Sequence, residues 1–132
     1  MPMLAVLVAS AFLCTTPTAI DGDTIRCRPK GERLRLAAID APDRSTNPRC
    51  RPRPKPGAIC DTALAARSRA HLDAMMRRRP VRCEVVDASP DRRGFQATDR
   101  YGRKVVRCTA GGRDLSRAQL RAGMAVAWPP RP

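Results

Sequence analysis

The stretch from Asp21 to Asp43 constrains this chain more than any other. It opens Asp21-Gly22-Asp23-Thr24 and closes Arg35-Leu36-Ala37-Ala38-Ile39-Asp40-Ala41-Pro42-Asp43. Asp-Gly is a strong hairpin-turn signal, because glycine tolerates positive φ and aspartate tolerates it better than most residues. Ile25-Arg26-Cys27 and Arg33-Leu34-Arg35-Leu36 alternate apolar with polar, as half-buried strands do. A second turn is expected at Ala41-Pro42. Two strands running back to back bring Asp23, at the start of one, near Asp40, at the end of the other. Paired carboxylates with an arginine and a third acid close by suit a hard cation and a phosphate.

The rest of the chain reads as one domain with several short strands. Phe12 to Ile20 is expected to lead into the Asp21 turn. Residues 44 to 60 form a loop, since Pro48, Pro52, Pro54 and Pro56 exclude regular structure. That loop carries Arg44, Arg49, Arg51, Arg53 and Lys55 and no acid. It reads either as an arm that grips phosphates or as a solvated loop closed by Cys50 and Cys60. Asp61 is a good N-cap for a helix running to about Arg79, with Leu64, Ser68, His71, Leu72, Met75 and Met76 on one face. His71 reads as a partly buried helix residue. Val81 to Val86 and Lys104 to Thr109 are strands, separated by a polar connection from Asp87 to Thr98. A short helix follows from Asp114 or Ser116 to Ala122, capped by Gly123, with Leu115, Ala118 and Ala122 turned inward. Met124 to Trp128 adds a last short strand. Three strands, a helix, two strands and a helix predict a small closed barrel.

Charge narrows the partners. The chain has 26 basic and 12 acidic residues, a net charge of +14. Such a field attracts polyanions, nucleic acid first. No basic amphipathic helix supports a membrane surface. Residues 4 to 13 are apolar but too short to span a bilayer. With Ala9-Ser10-Ala11 as a cleavage site, residues 1–11 are expected to be a signal peptide and residues 12–132 the domain, although a basic residue near the N-terminus is missing. Secretion or a periplasmic location follows, with no stable membrane insertion. Six cysteines in 132 residues also point to an oxidising compartment. None is spaced Cys-x-x-Cys, which argues against structural zinc. The expected disulfides are Cys14–Cys27, Cys50–Cys60 and Cys83–Cys108, among 15 connectivities that six cysteines allow.

Adding Thr98-Asp99-Arg100-Tyr101-Gly102-Arg103 makes the pattern specific. The chain resembles the staphylococcal nuclease-like (thermonuclease) family, from about Thr18 to Ala127. That family has an aspartate-glycine-aspartate-threonine turn, then an arginine five residues before an aspartate and an acid three residues further on. A tyrosine-glycine-arginine turn comes later. The resemblance implies a mainly β (α+β) fold, a five-stranded OB-fold barrel with two helices and without the third, C-terminal helix of longer members. It further implies a bacterial, monomeric nuclease that hydrolyses DNA or RNA with Ca2+. Asp23, Asp40 and the backbone carbonyl of Ala41 would be metal ligands, with Asp21 in an outer shell. Arg35 and Arg103 would be the catalytic arginines, and Tyr101, Arg100, Arg49, Arg51, Arg53 and Lys55 would bind the nucleic acid. Asp43 stands where the family usually has the glutamate that positions the attacking water. It is one methylene shorter, so reduced activity is expected. A non-catalytic basic OB-fold module that binds nucleic acid is the alternative, as is a basic secreted protein that binds cell envelope.

Overall fold

A computed structural model describes residues 11–86, 98–99 and 101–129. The expected signal segment, except Ala11, lies outside them, as do Arg100 and nearly all of the Asp87–Thr98 connection. The described strands are β1 (Ala11–Asp21), β2 (Thr24–Arg28), β3 (Arg33–Leu36), β4 (Ile39–Asp40), β5 (Val81–Val85), β6 (Lys104–Ala110), β7 (Arg113–Asp114) and β8 (Val126–Ala127). Two helices are described, α1 (Thr62–Met76) and α2 (Leu115–Arg121).

The barrel closes in the order β1-β2-β3-β6-β5 and back to β1. The closing pair β3–β6 is parallel, and every other pair around the ring is antiparallel. This is the expected five-stranded OB-type barrel. One long strand serves two neighbours: residues 11–14 of β1 pair with β5, and residues 15–21 pair with β2. The register shifts between Thr15 and Thr18, where Pro17 has no N–H for the ladder. A bulge at that point bends the strand around the barrel.

Alternation along the strands fills the interior. Ile25, Leu34, Leu36, Val81 and Val106 are fully buried, with Leu72 of α1 and Leu115 of α2 against them. With aromatics at only 3% of the chain, the disulfides take part of the core's volume. All three expected bridges form: Cys14–Cys27, Cys50–Cys60 and Cys83–Cys108. Cys83 and Cys108 are direct cross-strand partners on β5 and β6. Each bridge contributes about 3 kcal/mol by restricting the unfolded chain.

Four local expectations change. Helix α1 starts at its Asp61 cap but ends at Met76, because Arg77 is extended and Arg78 has φ +59°. In α2 the cap is Ala122, which is exposed rather than inward, and Gly123 follows it at φ +71°. The second turn lies at Ala37–Ala38, before Asp40, with Ala38 at φ +69°. Its carbonyls are held by Ser116 Oγ at 2.8 Å and the Trp128 amide at 2.9 Å. Gly22 is not among the residues with positive φ. A Cβ there would lie 1.8 Å from Ser68 Oγ and 2.8 Å from the Ala41 Cβ, so close approach demands the glycine.

Candidate active site

The site begins at the hairpin that joins β1 to β2. Asp21 ends β1 and pairs with Thr24, leaving Gly22 and Asp23 as the turn. Asp21 Oδ1 accepts the Asp23 amide at 3.0 Å, an aspartate turn of the usual kind. Behind the turn, the buried Gln119 of α2 donates from Nε2 to the Gly22 carbonyl at 2.8 Å and to the Ser68 carbonyl at 3.0 Å. Its carboxamide oxygen meets His71 Nδ1. Ser68 Oγ in turn donates to the Met124 carbonyl at 2.6 Å. The half-buried His71 thus belongs to a scaffold that clamps the turn between two helices.

Strand register then brings the charged groups together. Arg35 lies opposite Thr24 on β3, so it stands next to Asp23. Its Nη1 is 3.4 Å from Asp23 Oδ2, and its Nη2 is 3.7 Å from Asp40 Oδ1. Asp23 and Asp40 are both buried. Asp23 is further tied by the Ala41 amide, which donates to its Oδ2 at 2.8 Å, and by Thr24 Oγ1, which donates to Oδ1 at 3.0 Å. Burial alone would raise the Asp23 pKa, but Arg35 and these hydrogen bonds outweigh it and hold the carboxylate below its ordinary value. Asp21 goes the other way. Burial first, then the neighbouring Asp23 charge, pushes it up to about 7. The pair therefore divides into one ionised acid and one that stays largely protonated in weakly acidic solution.

Arg103 reaches the same group from the turn before β6. Asp99 accepts the Arg103 amide at 2.9 Å and its Nε at 2.7 Å. That leaves Nη1 3.4 Å from Thr24 Oγ1. Tyr101 is exposed, with the Arg103 guanidinium 5.4 Å from its ring centre. Asp99 had no assigned role from the sequence. An aspartate two residues before an exposed tyrosine and four before an arginine is an aspartate-turn signal that could have found it.

Asp43 joins the group through Arg49 and is tied to the end of the 44–60 loop. Its amide donates to the Ile59 carbonyl at 2.7 Å, and Asp61 donates back to the Asp43 carbonyl at 3.0 Å. Cys60 pairs beside it and is bridged to Cys50. Arg49, next to Cys50, is thereby delivered into the acidic site. Its Nη1 is 3.0 Å from both Asp40 Oδ1 and Asp43 Oδ2, and its Nη2 is 3.2 Å from Asp40 Oδ2. The sequence reading grouped Arg49 with Arg51, Arg53 and Lys55 as phosphate contacts. Of these, Arg51 donates to the Ser45 carbonyl at 3.2 Å, and Arg53 and Lys55 are exposed. Burial raises the Asp43 pKa, opposed by Arg49.

The acidic oxygens gathered here are carboxylates, a donor type that suits a hard cation. No three acid, histidine or cysteine side chains converge into a finished metal site among the described residues. The guanidinium of Arg49 stands in for a cation between Asp40 and Asp43. A cavity of about 210 Å³ opens beside them, lined by Asp21, Asp43, Arg44, Asn47 and Arg69 among others.

A family model described as staphylococcal nuclease homologue matches residues 33–131, which include Arg35, Asp40, Asp43 and Arg103. No curated protein matches the chain.

Proposed function

Because the chain belongs to the staphylococcal nuclease homologue family, we propose that it hydrolyses phosphodiester bonds of DNA or RNA with the help of calcium. The observation that carries this reading is Arg35 lying between the buried Asp23 and Asp40, with Arg103 linked to the same group through Thr24. Asp23, Asp40 and the Ala41 carbonyl would hold the ion, with Asp21 in its outer shell. Calcium bound there would supply positive charge to a phosphate oxygen.

The chain's own residues account for the rest. Charge grows on the equatorial oxygens during attack at phosphorus, and arginine meets it with parallel hydrogen bonds. Arg35 and Arg103 take that role. Asp99 holds Nε of Arg103 and so aims its remaining nitrogens. The exposed Tyr101 ring offers a stacking surface for a base. Arg51, Arg53, Lys55 and Arg100 supply charge for flanking phosphates. Asp43 accepts the proton of the attacking water from a retracted position, so the enzyme is slow.

Three disulfides fit an oxidising compartment. No helix among the described residues is long and apolar enough to cross a membrane. The disulfides support a secreted or periplasmic location, and our reading is of a monomer released by removal of residues 1–11. One observation favours a second reading, a non-catalytic nucleic-acid-binding module: Arg49 already neutralises Asp40 and Asp43. Plasmid nicking with and without calcium, run beside a DNA-binding assay, tests both readings. The nuclease nicks only with calcium, and Asp40→Ala abolishes nicking while salt-sensitive binding persists. Calcium-independent background nicking with tight binding supports the module instead.

A further inference from the structure

A groove of about 740 Å³ runs off the candidate site across the outer face of the barrel. Its lining includes Arg26, Arg28, Arg33, Arg44 and Arg69, and it contains no acidic and no aromatic residue. It shares Ile20, Arg44 and Arg69 with the smaller cavity beside Asp21 and Asp43, so the two adjoin. We infer that this groove is a binding track for the phosphate backbone of single-stranded nucleic acid, which leads the strand to the carboxylates. The inference deepens the nuclease reading and rests on it for the direction of travel, though not for binding itself.

Register supplies the first argument. Arg26 on β2 lies directly opposite Arg33 on β3, and Thr18 on β1 lies opposite Arg26 from the other side. Like charges placed directly opposite one another destabilise a sheet. Arg28 is on the same face as Arg26, two residues along. No carboxylate among the described residues pairs with Arg26, Arg28, Arg33 or Arg44. An anion bound across this row relieves a repulsion that the fold otherwise leaves uncompensated.

Convergence supplies the second argument. The five arginines come from β2, β3, the 44–60 loop and α1, so four segments of chain point charge into one concavity. Arg69 is preset there, because its Nε donates to the Ala19 carbonyl at 3.0 Å and leaves its terminal nitrogens for a ligand. Size and chemistry then select the occupant. The volume falls within the roughly 300–1,000 Å³ of sites for small ligands, which is room for a few nucleotides of one strand. With no aromatic lining, contacts go to phosphate rather than to bases, so binding is indifferent to sequence.

The test compares two triple variants that remove equal charge. One is Arg26→Gln, Arg28→Gln and Arg33→Gln. The other is Arg113→Gln, Arg117→Gln and Arg121→Gln, at exposed positions on β7 and α2. Fluorescence anisotropy with a single-stranded 20-mer, in chelator so that nothing is cut, reads the affinity of each across a salt series. Circular dichroism checks that both remain folded. The groove variant should bind at least about tenfold more weakly than the other. Its log–log salt slope should fall by about 2, since each lost single-strand phosphate contact is worth about 0.7. Equal losses in the two variants overturn the inference, because net charge alone then explains binding. So does a groove variant that loses binding to anionic phospholipid vesicles while keeping the 20-mer. The nuclease reading fails separately: a parent that binds through the groove yet never cleaves with calcium leaves the track intact and removes the enzyme.

Discussion

Arg49 lays its guanidinium on the carboxylate of Asp40, with Nη1 3.0 Å from Oδ1 and Nη2 3.2 Å from Oδ2. The same Nη1 also reaches Asp43. Asp40 is buried on one side of this contact, and Arg49 arrives from the loop that Cys50–Cys60 closes. A cation that uses Asp40 must displace this arginine. Apparent affinity falls by the fraction of time the site is free. If Arg49 occupies it about nine-tenths of the time, removing the guanidinium gains roughly tenfold. Arg49→Gln should therefore bind calcium about ten times more tightly in a calorimetric titration. Unchanged or weaker binding shows that Arg49 does not compete.

Asp21 makes stability depend on pH. Its folded pKa, about 7, lies above its ordinary value of 3.8. Between these values the folded chain holds a proton that the unfolded chain has lost. Stability from this group is complete below about pH 4, declines as pH rises toward 7, and levels off above it. Asp21→Asn keeps an oxygen for the Asp23 amide and removes the charge. Its melting temperature in chelator should exceed the parent's at pH 7.5 and vary less between pH 4 and 7. Parallel curves for the two proteins would contradict this origin of the pH dependence.

Asp40, expected at the end of the hairpin's second strand, lies instead on β4, after the Ala37–Ala38 turn. Within the hairpin, strand residues alternate faces and register is fixed, so Asp23 and Arg35 could be placed from turn chemistry and period. Arg49 could not. Its position follows from the Cys50–Cys60 bridge and the pairing of Asp43 with Cys60, neither of which leaves a periodic trace. Gly22 was read correctly as a turn glycine for the wrong cause, since what excludes a Cβ is Ser68 on a helix distant in sequence. Ala122, expected to turn inward, is exposed at the C-cap of α2, although its amide still bonds to the Ala118 carbonyl.

The turn at Ala38 was equally invisible, because alanine gives no signal for a left-handed backbone. Its φ of +69° costs about 1–2 kcal/mol for a residue with a Cβ. Glycine removes that cost and adds back roughly 0.5–1 kcal/mol of unfolded-state entropy. The difference favours Ala38→Gly by about 0.5–1 kcal/mol. Urea denaturation should move its midpoint upward at an unchanged slope. A lower midpoint would mean that the Ala38 side chain contributes packing worth more than the strain.

The last expectation concerns Asp43 as the acceptor of the water's proton. A carbon–carbon bond is about 1.5 Å, so aspartate holds its carboxylate back by roughly that much compared with glutamate. Misplacement by about 1 Å costs on the order of 10²-fold. Arg49 adds to the deficit, since its Nη1 lies 3.0 Å from Asp43 Oδ2 and takes up a lone pair that the water needs. General-base assistance is worth about 10²- to 10⁴-fold in all, so the parent should retain part of it. Asp43→Glu should cleave faster in single-turnover assays at matched calcium and pH. Asp43→Ala should cleave more slowly than the parent, with DNA affinity little changed because the groove arginines are untouched. Arg49→Gln in the Asp43→Glu background should add less than it adds to the parent, if the longer side chain already escapes the guanidinium. Equal rates for parent and Asp43→Ala would remove Asp43 from the reaction.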